Sequence, residues 1–292
     1  MDLIGHCAVA ALSGVHPERD VFGPGVVDLM LPNVLHCHDW GYQHLWDLSS
    51  FEDHLRPVAR RMQTHIVADW VIHYGGARTG EKRKVGWAYR RMGLAHRRAR
   101  EFFEEARCRG LLRSDAVDPA GWSRKRKLDF AHSITEYALD FLVAPMVMTA
   151  SRLADIKHHL GRVAGGASPG YAPIDATAAA LRVETDQPHD VVLRSIEALA
   201  HDAAAAEGPE SFAVATTMRK YGFHIDRRSA QHVRTFIAGI SADLNAAECR
   251  ELCVAIARIA ADPSSIPGAP VDQPDRPGKE SSPAGSKIES RS

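Results

Sequence analysis

Residues Met62 to Gly75 read MQTHIVADWVIHYG, and the fold turns on where this stretch is placed. His65, Asp69 and His73 stand at i, i+4 and i+8, so at about 100° per residue they fall within one stripe of a single helix. Ile66, Val67, Trp70, Val71 and Ile72 fill the positions between them, which predicts a helix apolar nearly all round and therefore internal. Buried carboxylates and imidazolium groups are costly unless they are paired or coordinate a metal. A metal would satisfy all three side chains at once.

The same pattern recurs downstream. A long helix predicted over 123–149 carries His132, Glu136 and Asp140, again at i, i+4 and i+8. Upstream, 2–13 reads as a short buried helix with Leu3, Cys7, Ala10 and Ala11 on one face and His6 beside them. The run from Val21 to Pro32 is apolar and rich in glycine and proline; it reads as a turn that delivers Asp28. His36 and His38 follow, and Ser49 and Ser50 are N-cap candidates for a helix near Phe51 that Pro57 would kink or split. Further helices are expected over 87–112, 151–163, 176–183, 191–205, 210–221, 227–244 and 246–261, with no convincing strands.

The fold class is thus all-α. The expected organisation is a helical metal-binding region over 1–165 with a basic insertion at 76–130, C-terminal helices over 166–262 packing on it, and a tail over 263–292. That tail is rich in Pro, Ser, Gly and charge, a composition that predicts disorder.

A composition 45% apolar over 292 residues is ample for a core, and 36 basic against 36 acidic residues leave no net charge. No global field therefore announces nucleic acid or a membrane as partner. Sixteen histidines point to metals or proton transfer. Five cysteines without a Cys-x-x-Cys pair read as reduced thiols. The N-terminal stretch lacks the layout of a secretory signal and no run reaches the ~20 apolar residues of a membrane span, so a cytoplasmic location is expected.

Charge is segregated within the chain. Residues 82–127 hold fifteen Lys or Arg against five acidic residues, ending in Arg124, Lys125, Arg126 and Lys127 at the start of the helix that bears His132. Cations at a helix start oppose the dipole unless something anionic meets them. These four are the candidate substrate-binding residues.

The ligand candidates are His6, Asp28, His36 or His38, His65, Asp69, His73, His132 and Glu136. Imidazoles and carboxylates without a thiolate suit zinc, manganese or iron, and so many groups exceed the needs of one tetrahedral ion, which implies at least two. In its ordered motifs the chain resembles the zinc-dependent phospholipase C family, a helical fold shared in outline with single-strand-specific zinc nucleases. The motifs are early His6, the Gly/Pro-rich segment ending at Asp28, a following His36 or His38, His65-x-x-x-Asp69 with His73, and His132-x-x-x-Glu136. They cover roughly residues 1–150. The resemblance implies two or three zinc ions. Asp69 would bridge two of them, His65, Asp28 and His36 or His38 would complete one site, and His73, His132 and Glu136 the other.

The expected activity is metal-dependent hydrolysis of a phosphate ester. Asp69 would act as bridging catalytic ligand, and Asp28 as ligand or base. The substrate would be an anionic small molecule or an acyl-carrier-protein-like partner, since the phosphodiesterase that acts on acyl carrier protein looks similar in its early His and later Asp-x-x-x-His. Two alternatives compete: a dinuclear iron enzyme that activates oxygen, and a non-enzymatic basic binding protein. Nucleic acid is the less favoured partner.

Overall fold

A computed structural model describes residues 1–37, 47–75, 86–116, 121–164, 177–183 and 189–263. The chain is helical throughout these, with no strand among the described residues and one isolated bridge between Leu112 and Phe223. Helix α1 (Leu3–Ser13) is followed by α2 (Glu18–Val21), α3 (Gly25–Leu35), a 3-10 turn (Leu48–Ser50) and α4 (Arg56–Tyr74). Then come α5 (Trp87–Arg91), α6 (Gly93–Cys108), α7 (Arg124–Val147) and α8 (Ala150–Ala164). The last four are α9 (His189–Ala205), α10 (Pro209–Tyr221), α11 (Arg227–Ala242) and α12 (Ala246–Ala261).

The decisive stretch is the C-terminal two-thirds of α4, buried from Met62 through Trp70 on nearly every side. It packs with α1, α3 and α12, while α1 also lies against α7 and α12. Leu3, Ile4 and Cys7 of α1, Val67 and Ala68 of α4, Leu139 and Val143 of α7, and Cys249, Cys253 and Ile256 of α12 share one apolar cluster. The last helix therefore enters the same core as the first. A second cluster is aromatic: Phe102 and Phe103 of α6 meet Phe130 of α7, with ring centroids 6.0 and 5.0 Å apart, and Phe223 and Trp122 close the set. Full burial of each such side chain contributes about 1.5–3 kcal/mol.

Four local expectations are corrected. The Gly/Pro-rich run is mostly helix α3, because Pro24 already has helical dihedrals at its start and Val26, Leu29, Met30 and Leu31 supply it a buried face. Pro57 lies in the first turn of α4, where the missing N–H has no helical partner to lose, so it starts the helix and does not split it. Ser49 and Ser50 sit in the 3-10 turn, whose cap is Asp47. The stretch 87–112 is also two helices that meet at Met92. The tail from 264 onward, and residues 38–46, 76–85 and 117–120, which include His38 and part of the basic insertion, lie outside the described residues. No helix among the described residues is long and apolar enough to cross a membrane.

Candidate metal centre

The stripe on α4 serves two groups. His65 and Asp69 join His6 from α1, and one turn further on His73 joins His132 and Glu136 from α7; in each group the three potential ligand atoms lie within 4.8 Å of one another. An i, i+4, i+8 row advances about 12 Å along the axis, which is why one helix can reach two neighbouring centres. His73 therefore stands apart from His65 and Asp69, beside His132 and Glu136.

In the first group the rings of His6 and His65 stack with centroids 3.6 Å apart. His6 Nε2 lies 3.3 Å from Asp69 Oδ1 and His65 Nε2 lies 3.4 Å from Asp69 Oδ2, so the two imidazoles flank one carboxylate. Both ring nitrogens of His6 are buried without a hydrogen bond among the described residues. In the second group His73 Nε2 approaches Glu136 Oε1 at 2.8 Å and His132 Nε2 approaches it at 3.5 Å. Tyr89 of α5 stacks on His132 at 4.8 Å.

Gly86 brings α5 there. Its N–H donates to the His73 carbonyl at 2.7 Å, and a Cβ at this position would lie 2.2 Å from the Ile72 carbonyl oxygen, so only glycine lets the chain return this close to the end of α4.

The two groups meet at a positive charge. The Met1 ammonium lies 2.9 Å from Glu136 Oε1 and 3.4 Å from Asp69 Oδ1. Burial alone would lower its pKa, but Glu136, Asp69 and Asp140 raise it to about 11. Burial likewise works against the Asp69 and Glu136 carboxylates, and is outweighed by the ammonium and the flanking histidines, which hold both below the usual range. Burial also lowers His6 and His132, and brings His65 down to about 4. These imidazoles are therefore neutral near pH 7, the form that carries a lone pair for a metal.

Imidazoles gathered around ionised carboxylates are a donor set that fits a divalent cation. Each group offers two histidines and one carboxylate, the set found in catalytic zinc sites with an open position and in non-haem iron(II) sites.

Two predicted ligands are elsewhere. Asp28 faces Arg61, which donates to its Oδ2 from Nε at 3.0 Å and from Nη2 at 2.7 Å, so its charge is already met. Gly25 leaves room there: a Cβ would lie 2.7 Å from the Asp20 carbonyl oxygen and 2.8 Å from Arg61 Cδ, which explains the second glycine of the Gly-Pro-Gly run. His36 is an exposed C-cap of α3 with φ +52°, and it belongs to neither group. Its sequence partner His38 lies outside the described residues.

Arg124, Lys125 and Arg126 are exposed and Lys127 is half-buried at the start of α7, behind the Ser123 cap. They make no ion pair with a carboxylate among the described residues, and Arg126 lies over the Trp122 ring at 5.0 Å.

Sequence reasoning missed two participants, Tyr89 and the Met1 ammonium, and left Asp140 out of the ligand candidates although it stands in the α7 stripe. Asp140 continues the α7 stripe and is buried, with neither carboxylate oxygen hydrogen-bonded among the described residues; its i+8 spacing was the available signal. Tyr89 and the Met1 ammonium carried no spacing that could have placed them. No family model, no curated protein and no solved structure matches the chain.

Proposed function

We propose that the protein is a metal-dependent hydrolase of phosphate esters, with one ion held by His6, His65 and Asp69 and a second by His73, His132 and Glu136. The observation that carries this reading is the adjacency of two such groups on α1, α4 and α7, both meeting the same ammonium. Bound zinc, or manganese or iron in its place, would polarise a phosphoryl oxygen and lower the pKa of a water.

The protein's own residues supply the rest. Burial keeps the His6, His65 and His132 imidazoles neutral, Asp69 is flanked by two rings that fix its rotamer, and Glu136 is oriented by His73. Tyr89 covers one side of His132 and limits how a substrate can approach. The four cations at the start of α7 attract an anionic substrate from solution, an acyl-carrier-protein-like acidic partner being one form of it. Asp28 has no part in this scheme, because Arg61 occupies its carboxylate.

The test is hydrolysis of a panel of chromogenic phosphomonoesters and phosphodiesters by protein as purified, after chelator dialysis, and after return of zinc or manganese. Activity that is lost and then restored supports the proposal. Full activity in stripped protein, or none with any ester, rejects it. The two-histidine, one-carboxylate composition also favours a second reading, an iron enzyme that activates oxygen. Iron in the purified protein with oxygen uptake on a reductant, and no esterase activity, would select it.

A further inference from the structure

One acid of the α7 stripe is left over once the two groups are assigned. Asp140 stands one turn beyond Glu136, about 6 Å along the axis, and belongs to neither group. It is 2% exposed, and neither carboxyl oxygen has a hydrogen bond among the described residues. Its Oδ1 lies against the backbone of α1: a Cβ on Gly5 would stand 2.4 Å from it, so glycine at this position is what lets the carboxyl fit. The core gains nothing from it. A buried acid without a partner costs more than an apolar residue of the same volume, and such a residue marks a place where stability has been given up for another purpose.

The groups that face Asp140 decide which form it takes. From α1 and the two residues before it come the Met1 ammonium, Asp2 and Cys7, from α7 itself Glu136 and Tyr137, and from α12 Cys253. Burial, then Asp2, hold the Asp140 carboxyl well above the ordinary carboxylate range, and the ammonium only partly offsets them. Burial also raises Cys7, Cys253 and Tyr137, so none of these is charged near pH 7. Asp140 is therefore a neutral acid in the metal-free protein. Cations reverse the balance. At an effective dielectric of about 20, one divalent ion ~10 Å away favours ionisation of a carboxyl by about 100-fold or more.

We propose that Asp140 is the reserve counter-charge of the metal centre: it holds its proton in the metal-free protein and releases it to solvent when divalent ions bind, without becoming a ligand. The O–H bond of the acid breaks, its electron pair stays on the carboxylate oxygen, and buffer takes the proton. This rests on the two-ion reading and not on ester hydrolysis.

The test is calorimetric titration of the metal-free full chain with zinc at pH 7.5, in two buffers of different ionisation enthalpy, for wild type and Asp140→Asn. Asparagine copies the neutral acid in shape and cannot ionise. Metal-bound water loses protons in both proteins alike, so the difference between them reports position 140. Wild type is expected to release about one proton per chain more than the variant, with both binding two ions. The metal-free proteins give a second readout. An unfolded chain ionises this aspartate above about pH 3.9 whereas the folded chain keeps it neutral, so wild type loses stability as pH rises from there. Urea denaturation with chelator present should show the balance moving toward Asp140→Asn by about tenfold in the folding constant per pH unit between pH 6 and 8. Equal proton release in the two proteins, or one ion fewer in the variant, would overturn the proposal and leave the two-ion reading standing. A stability difference that does not change with pH would overturn it as well. No zinc bound by wild type would overturn both.

Discussion

The two histidine groups have the same composition and different access. In the first, the side chains of His6 and His65 are 0% exposed; in the second, His73 and His132 are 18% and 17% exposed. The first is walled by α1, α4 and the Met1 ammonium, the second opens beneath Tyr89. A closed site holds the fold together and a partly open one can admit a substrate, the division between structural and catalytic zinc sites. Under the proposed function, the first group would serve chiefly stability and electrostatics, and the second would meet the substrate.

The largest effect is expected where the closed group is broken. Asp69→Asn removes the charge that faces His6, His65 and the Met1 ammonium, and loss of one partner from a buried ion cluster costs about 3–5 kcal/mol. Urea denaturation should show this as a lower midpoint; a variant as stable as wild type would reduce the first group to an incidental cluster. His132→Ala should behave differently. Removing a partly exposed ligand ought to lower esterase activity by about 100-fold or more, with a smaller loss of stability than Asp69→Asn. If thermal melts rank the two variants the other way round, the division into closed and open groups fails.

A smaller effect is expected at the cations. Replacing Arg124, Lys125, Arg126 and Lys127 with Gln should raise KM for an anionic substrate several-fold and flatten its salt dependence at unchanged metal content, because exposed charges are screened over about 8 Å at physiological salt. Equal salt slopes in variant and wild type would show that the run is a solvated face.

The smallest concerns a histidine outside both groups. His16 bonds Thr64 Oγ1 at 2.9 Å, and burial, then Arg61 and Arg60, lower its pKa to about 4. It folds neutral, while the unfolded chain takes up a proton below the ordinary histidine value of about 6.5. Its contribution to stability is thus complete above that value and is lost as pH falls from there toward 4. The difference in melting temperature between wild type and His16→Gln should shrink across that window; a constant difference would remove the assignment.

Much of this site was legible because helical spacing alone fixes which side chains share a face. His65, Asp69, His73, His132 and Glu136 needed only a correct helix assignment, and the apolar residues between them supplied it. Asp28 and His36 were misplaced for a different reason. A turn was read where α3 forms, and the partner that claims Asp28, Arg61, comes from another helix 33 positions away, a contact no local pattern announces. The Met1 ammonium and Tyr89 reach the centre through tertiary packing of α1 and α5, so their roles became visible only in three dimensions. Helix boundaries were close from α7 onward and missed at α3 and α4, where Pro24 and Pro57 stand at the start, because proline punctuates both starts and breaks, and at Met92, where 87–112 divides.

Elemental analysis of metal per chain in wild type, His65→Ala and His132→Ala is the most direct test of a two-group centre. Binding to a folded-state site adds to folding, so each loss should be matched by a lower melting temperature. The account predicts two ions in wild type and one in each variant. Metal-free wild type, or a metal content that neither substitution changes, would contradict it.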